Sequence, residues 1–206
     1  MKKTAVKLLT AVLLVSATPI EQTHAATDYT KLGPKPSRSS INQGLTSPNA
    51  SYMQSVLGKP GALTTDCSPV TNPNLKKLIV TTDVGPFKAT GLKPATDALK
   101  RIFEKVKKEK PTLYKQIGSA GMLCVRKVRG SSSFSNHSWG AAIDIKINGK
   151  LDKQGDDKTQ LGLKELYPYF YKERFYWGAG YSTTEDSMHF EASKELVAKW
   201  KADKKI

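Results

Sequence analysis

Apolar residues recur three and four apart along ATDALKRIFEKVKKEK. Ala95, Leu99, Ile102, Phe103 and Val106 fall on one face of a helix that Pro94 opens and Pro111 ends. TLYKQIG adds a further helical turn that stops at Gly118. A shorter helix is expected over ASYMQSVL, after Ser47-Pro48 and before Gly58. LGLKELYPYFYKERF reads as one helix or as two halves broken at Pro168, and Ser193 caps a last helix, KELVAKWKAD. Strands are expected at Leu78–Thr82, Met122–Val128, Ala142–Ile147 and His189–Glu191. In the third of these, Ile143, Ile145 and Ile147 face one way while Asp144 and Lys146 face the other, and Asn148-Gly149 marks a turn after it. Strands crowd the second half of the chain. The pattern favours an α+β fold, a small antiparallel sheet flanked by helices, over a doubly wound parallel sheet.

The two ends of the chain read differently. Lys2, Lys3 and Lys7 precede an apolar run from Leu8 to Val15 that is too short to span a bilayer, and Thr23-His24-Ala25 offers a cleavage point. Residues 1–25 are therefore expected to be a signal peptide, and the mature chain to be exported, periplasmic or extracellular, with no transmembrane segment. Gly33, Pro34, Pro36, Gly44 and Pro48 make 26–60 read as an extended arm, which leaves 61–206 as a single domain. The whole-chain charge of +15 falls by two when three lysines and one glutamate leave with the signal. So basic an exported chain suits anionic wall polymers, with solubility alone as the bland alternative. The run of Lys100, Arg101, Lys105, Lys107, Lys108 and Lys110 reads first as a solvated helix face and second as a binding patch. Export makes a bridge between the two cysteines, Cys67 and Cys124, the favoured reading over two separate buried thiols.

Two histidines remain after the signal, His137 and His189, and each has an acidic neighbour: Asp144 seven residues after the first, and Asp186 three before the second. Seven residues span about 23 Å on a strand and about 10 Å on a helix. Ligand atoms of one zinc ion lie about 2 Å from it. Neither regular element can bring His137 and Asp144 together, so the chain must turn back between them. Gly140 permits that turn, and Ala141 and Ala142 keep it narrow. Two histidines and one carboxylate form a set suited to catalytic zinc, with a fourth position for water. A further carboxylate can then act as base, and helical spacing alone allows either Glu185 or Asp186.

The pattern Ser135-x-His137-x-x-Gly140-x-Ala142-x-Asp144, followed by Asp186-x-x-His189-Phe190, resembles the zinc D-alanyl-D-alanine carboxypeptidase and L-alanyl-D-glutamate endopeptidase family of peptidoglycan peptidases. The ligand segments of hedgehog signalling domains are similar in shape. Tyr176-Trp177-Gly178 resembles the tryptophan-glycine segment before the family's last ligand, and the stretch from Cys124 to Gly130 resembles the strand that supplies its arginine. The likeness runs from about Asp66 to Phe190.

The resemblance implies one Zn2+ per chain on His137, Asp144 and His189, with Asp186 as general base. It also implies an arginine that polarises the scissile carbonyl, Arg126 first and Arg129 second. Ser135 reads either as a substrate contact or as a lock on the turn. Trp139 and Trp177 read either as groove lining or as packing, and Glu191 either as a partner that orients its neighbouring ligand or as a surface pairing. The implied activity is hydrolysis of an amide bond in peptidoglycan stem peptides by a monomer, with no specific nucleic-acid partner. The alternative is a non-catalytic zinc module that binds wall or protein. Neither a His-Glu-x-x-His helix nor a Ser-x-x-Lys motif is present.

Overall fold

The computed structural model describes Met1 and residues 27–206, so the signal peptide expected over 1–25 lies, apart from Met1, outside the described residues. In chain order the regular elements are β1 (Leu32–Pro34), α1 (Ala50–Leu57), α2 (Pro73–Leu78), β2 (Ile79–Asp83), β3 (Lys88–Leu92), α3 (Lys93–Glu109) and α4 (Pro111–Tyr114). There follow β4 (Ile117–Gly121), β5 (Ala142–Ile147), β6 (Lys158–Gln160), α5 (Leu161–Lys172), β7 (Phe175–Trp177), β8 (His189–Ala192) and α6 (Lys194–Ala202). The fold is α+β. One four-stranded antiparallel sheet has the order β4-β5-β8-β7, and two two-stranded sheets pair β1 with β6 and β2 with β3. Among the described residues no helix is long and apolar enough to cross a membrane.

The alternation expected along β5 sets the two faces of the main sheet. Ile143, Ile145 and Ile147 are fully buried, while Asp144 and Lys146 keep partial exposure. Across the β5–β8 pair, Ile143 lies opposite Phe190, and Phe190 in turn lies opposite Trp177 of β7. These residues form the core face. Phe190 stacks on Phe170 of α5 with ring centroids 4.0 Å apart, and Phe170 meets Phe103 of α3 edge-on at 6.1 Å. Burying one such side chain contributes roughly 1.5–3 kcal/mol. The opposite face carries Asp144, His189 and Glu191.

Several local expectations hold and some do not. The helix α3 and the strand β5 lie where the periodicity places them, and Ser193 caps α6 through Leu196 N–H. The helix α5 runs on through Pro168 instead of breaking there. Met122–Val128 is not a strand. The strand of that region is β4, five residues earlier, and 122–128 is an irregular segment held by isolated bridges, Ser68 to Val125 and Lys127 to Phe134. The Cys67–Cys124 disulfide ties this segment to the chain before α2. In the basic run along and just after α3, read first as a solvated face and second as a binding patch, Arg101 pairs with Glu173 and Lys110 with Glu165.

The described part of the expected arm, 27–60, packs on the body. Tyr29, Ile41, Met53 and Leu57 join the same core. Asn42 completes the free edge of β7: its amide nitrogen donates to Trp177 O and its amide oxygen accepts from Trp177 N–H, both at 2.9 Å. Proline and glycine content signals irregular backbone, and irregular backbone is compatible with close docking.

The turn before β5 depends on Gly140. Its φ is +62°, and a Cβ built there would stand 2.6 Å from Gly91 Cα and 3.0 Å from Leu92 N. Leu92 N–H donates to Gly140 O at 3.0 Å, so β3 is clamped against the turn. Gly140→Ala is expected to lower stability by about 2 kcal/mol or more, from left-handed strain and overlap together. Urea denaturation measures this, and an unchanged midpoint would show that the clamp is not needed.

Candidate metal centre

Asp144 and His189 are directly opposed in the β5–β8 register, so their side chains emerge side by side from one face. Asp144 Oδ1 lies 3.0 Å from His189 Nδ1. His137 arrives from a 3₁₀ turn, Asn136–Trp139, capped by Ser135 and reversed at Gly140. Its Nε2 lies 3.2 Å from both Asp144 Oδ1 and His189 Nδ1. The doubling back expected between His137 and Asp144 is thus present, with the close backbone approach made against β3.

The remaining ring nitrogens are also engaged. His137 Nδ1–H donates to Met122 O at 2.8 Å, and His189 Nε2–H donates to Glu191 Oε2 at 3.2 Å. These partners set the tautomers and leave a lone pair on Nε2 of His137 and on Nδ1 of His189, both aimed inward. Three ligand atoms about 2.0–2.1 Å from a tetrahedral ion stand about 3.3 Å apart. The observed triangle, 3.0 to 3.2 Å on its edges, is close to that, and the donor set suits a divalent metal. Among the described residues, His137, Asp144 and His189 form the group that could hold a metal ion.

Charge at the cluster is arranged for a cation. Burial works to raise the pKa of Asp144, but the two imidazoles overcome it and hold the carboxyl well below its usual range. Burial works against a charged His189, and the carboxylates of Asp144 and Glu191 overcome this and raise its pKa. Positive charge is favoured at this position, and a metal ion competes with the proton for it.

Asp186 lies at the edge of the cluster. Its N–H donates to Gly178 O, and its own carbonyl accepts from His189 N–H at 3.1 Å, a tight turn rather than a helix. Oδ2 accepts a 3.3 Å hydrogen bond from Gln154, whereas Oδ1 is buried with no partner. Burial raises the carboxyl's pKa, with His189 opposing and Asp144 reinforcing the shift. Glu185 is turned away: it is buried, and its Oε1 accepts from the N–H groups of Asp156 and Asp157 at 2.8 and 3.1 Å.

The other residues singled out from the sequence divide. The backbone around Arg126 runs beside His137, since Cys124 N–H donates to His137 O and Ser135 N–H donates to Arg126 O. The Arg126 guanidinium donates to Lys127 O at 3.2 Å, and Arg129 sits exposed beside Gly130. Ser135 caps the turn, its hydroxyl accepting from His137 N–H. The groove-lining reading of Trp139 and Trp177 does not hold, because the two are 0% and 1% exposed. Trp139 donates to Gly58 O and meets Phe134 edge-on; Trp177 donates to Ser187 O and stacks between Tyr167 and Phe190. The Met122 carbonyl on the His137 ring is not visible in the sequence, because a main-chain group leaves no residue-type signal.

Residues 129–192 match the family model described as D-alanyl-D-alanine carboxypeptidase. The matched stretch contains all three clustered residues together with Asp186 and Glu191, and it supports the resemblance to those peptidases. No curated protein and no solved structure was found to match the chain. The match and the cluster together support a peptidase with a metal site.

Removing any one corner of the triangle should empty the centre. His137→Ala, Asp144→Ala and His189→Ala are each expected to lose most bound divalent metal while wild-type protein retains it. Elemental analysis after gel filtration reads this, and full metal content in all three variants would refute the assignment.

Proposed function

We propose that the protein is an exported zinc peptidase that hydrolyses an amide bond in peptidoglycan stem peptides, a D,D-carboxypeptidase or an L-alanyl-D-glutamate endopeptidase. The observation that carries this reading is the pairing of a two-histidine, one-carboxylate cluster with a separate carboxylate, Asp186, whose buried Oδ1 has no partner. A purely structural metal site needs no such group. The absence of a spanning helix among the described residues and the Cys67–Cys124 disulfide fit export.

His137, Asp144 and His189 would hold the zinc ion. When bound there, zinc would supply Lewis acidity toward a carbonyl oxygen and lower the pKa of a water. Asp186 takes the proton from the attacking water on Oδ1, then delivers it to the departing amine nitrogen. Its raised pKa brings it closer to the working range of a group that must both accept and return a proton. Gln154 engages Oδ2, which leaves the buried Oδ1 as the oxygen free to take the proton. Arg126 is the first choice for steadying the oxyanion, since its backbone is hydrogen-bonded to the segment that carries His137. Arg129, farther along the same loop, is the second. Ser135 serves by fixing the turn. The basic surface brings the protein to an anionic wall, and one zinc per monomer completes the reading.

Digestion of purified peptidoglycan, with and without chelator and read by mass spectrometry, is expected to show new amino and carboxyl termini in the stem peptide and intact sugar strands. New reducing ends alone would mean the wrong bond class. Tight metal binding with no cleavage at all would indicate the non-catalytic wall-binding module instead.

The two adjacent carboxylates separate sharply. Asp186→Asn should keep zinc and fold yet lose about 100-fold or more in rate. Glu185→Gln should change the rate much less, because that side chain serves the 156–157 backbone. Activity that survives in the Asp186 variant and vanishes in the Glu185 variant, with zinc in both, would reverse the assignment.

A further inference from the structure

Glu191 occupies an unusual position. It is 1% exposed, and donors from three separate parts of the chain converge on its carboxylate. His189 Nε2–H donates to Oε2 at 3.2 Å, and Asn136 Nδ2 donates to the same oxygen at 2.6 Å. Oε1 accepts from the Ser47 hydroxyl at 2.5 Å. Asn136 stands next to His137, and its amide also donates to Pro48 O at 2.9 Å. The N-terminal segment, the turn that carries His137 and the strand that carries His189 are therefore joined through one buried carboxylate.

We propose that the N-terminal segment around Ser47 is a component of the metal centre, and that Ser47 is a positioning residue for His189, acting through Glu191. The proposal rests on reading the cluster as a metal site. His189 faces the cluster through Nδ1, which requires its proton on Nε2, and Glu191 is the group that holds that proton. Oε1 of Glu191 has Ser47 as its hydrogen-bond donor among the described residues. Without the hydroxyl, that oxygen loses its 2.5 Å donor and the carboxylate is free to turn toward other groups, the nearby Tyr181 hydroxyl among them. The His189 ring then loses its orientation. Charge neutralisation alone would not need Ser47; orientation does.

The approach of Ser47 does not depend on its own side chain. Thr46 N–H donates to Glu195 Oε2 at 2.9 Å, and Lys194 N–H donates to Thr46 O at 2.8 Å. Main-chain contacts with the start of α6 thus dock the segment, and Ser47→Ala should leave it in place. Asn42, five residues earlier, anchors the same segment to β7 without touching Glu191. It is the natural control for loosening the segment in general.

Zinc affinity is measured by chelator competition on the full mature chain, together with the absorption spectrum of the cobalt-substituted protein. Ser47→Ala is expected to bind zinc about 10-fold or more weakly, the usual scale for losing a partner of a ligating histidine, and to shift the cobalt spectrum. Ser47→Thr, which keeps the hydroxyl, should restore both, and Asn42→Ala should leave both near wild type. Unchanged zinc affinity in Ser47→Ala would overturn the proposal while leaving the peptidase reading intact. Equal weakening by Asn42→Ala would overturn it in favour of general docking. Wild-type protein that takes up no metal would overturn both readings.

Discussion

The pairing of Asp144 with His189 across β5 and β8 is the constraint on which the rest of the site depends. Side chains on a strand alternate between faces, so a slip of one residue would turn one of the two away from its partner. What locks the register is the other face. Ile143 opposes Phe190, and Phe190 is wedged between Phe170 and Trp177. Any slip that separated the two polar residues would also pull Phe190 out of that stack and expose it. The aromatic layer, on the opposite face of the same strands, is thus what keeps a carboxylate and an imidazole 3.0 Å apart.

The third corner is held by different means. His137 lies on a four-residue turn, and three constraints place it: reversal at Gly140, the clamp of β3 on that glycine, and the carbonyl of Met122 on the ring. The irregular segment 122–126 is tethered by the disulfide and by backbone hydrogen bonds to Ser68. It offers a carbonyl to the ring where a regular strand neighbour would have used that carbonyl within the sheet. Regular pairing places two corners and irregular backbone the third. The corner that lacks strand pairing is the one on which the turn cap, the glycine clamp and the Met122 carbonyl converge.

The sequence was most legible where one periodicity ran undisturbed. The apolar stripe of α3 and the alternation of β5 are local signals that burial then satisfies. The spacing of His137 and Asp144, with Gly140, Ala141 and Ala142 between them, tells of a doubled-back chain. Which groups would bind metal and which would act as base came from the resemblance. The strand β4 is not legible in the sequence because Gly118, Ser119 and Ala120 carry no pattern, whereas the more β-prone run after it is diverted by the disulfide and the Met122 carbonyl. The two tryptophans were ambiguous because large aromatics suit a groove and a core equally, and only packing decides. Docking of residues 27–49 could not be read locally, since its contacts join positions well over a hundred residues apart, as Asn42 with Trp177 and Ser47 with Glu191.

On the proposed reading a divalent ion sits between Nε2 of His137, Oδ1 of Asp144 and Nδ1 of His189, with Glu191 behind the last of these. Anomalous diffraction at the zinc edge, from crystals of the mature protein grown with zinc, tests it most directly. The expected result is a single strong peak at about 2 Å from each of those three atoms, with Glu191 still hydrogen-bonded to Nε2 of His189. A peak at another set of side chains, or a His189 ring reversed so that Nε2 meets the ion, would contradict it.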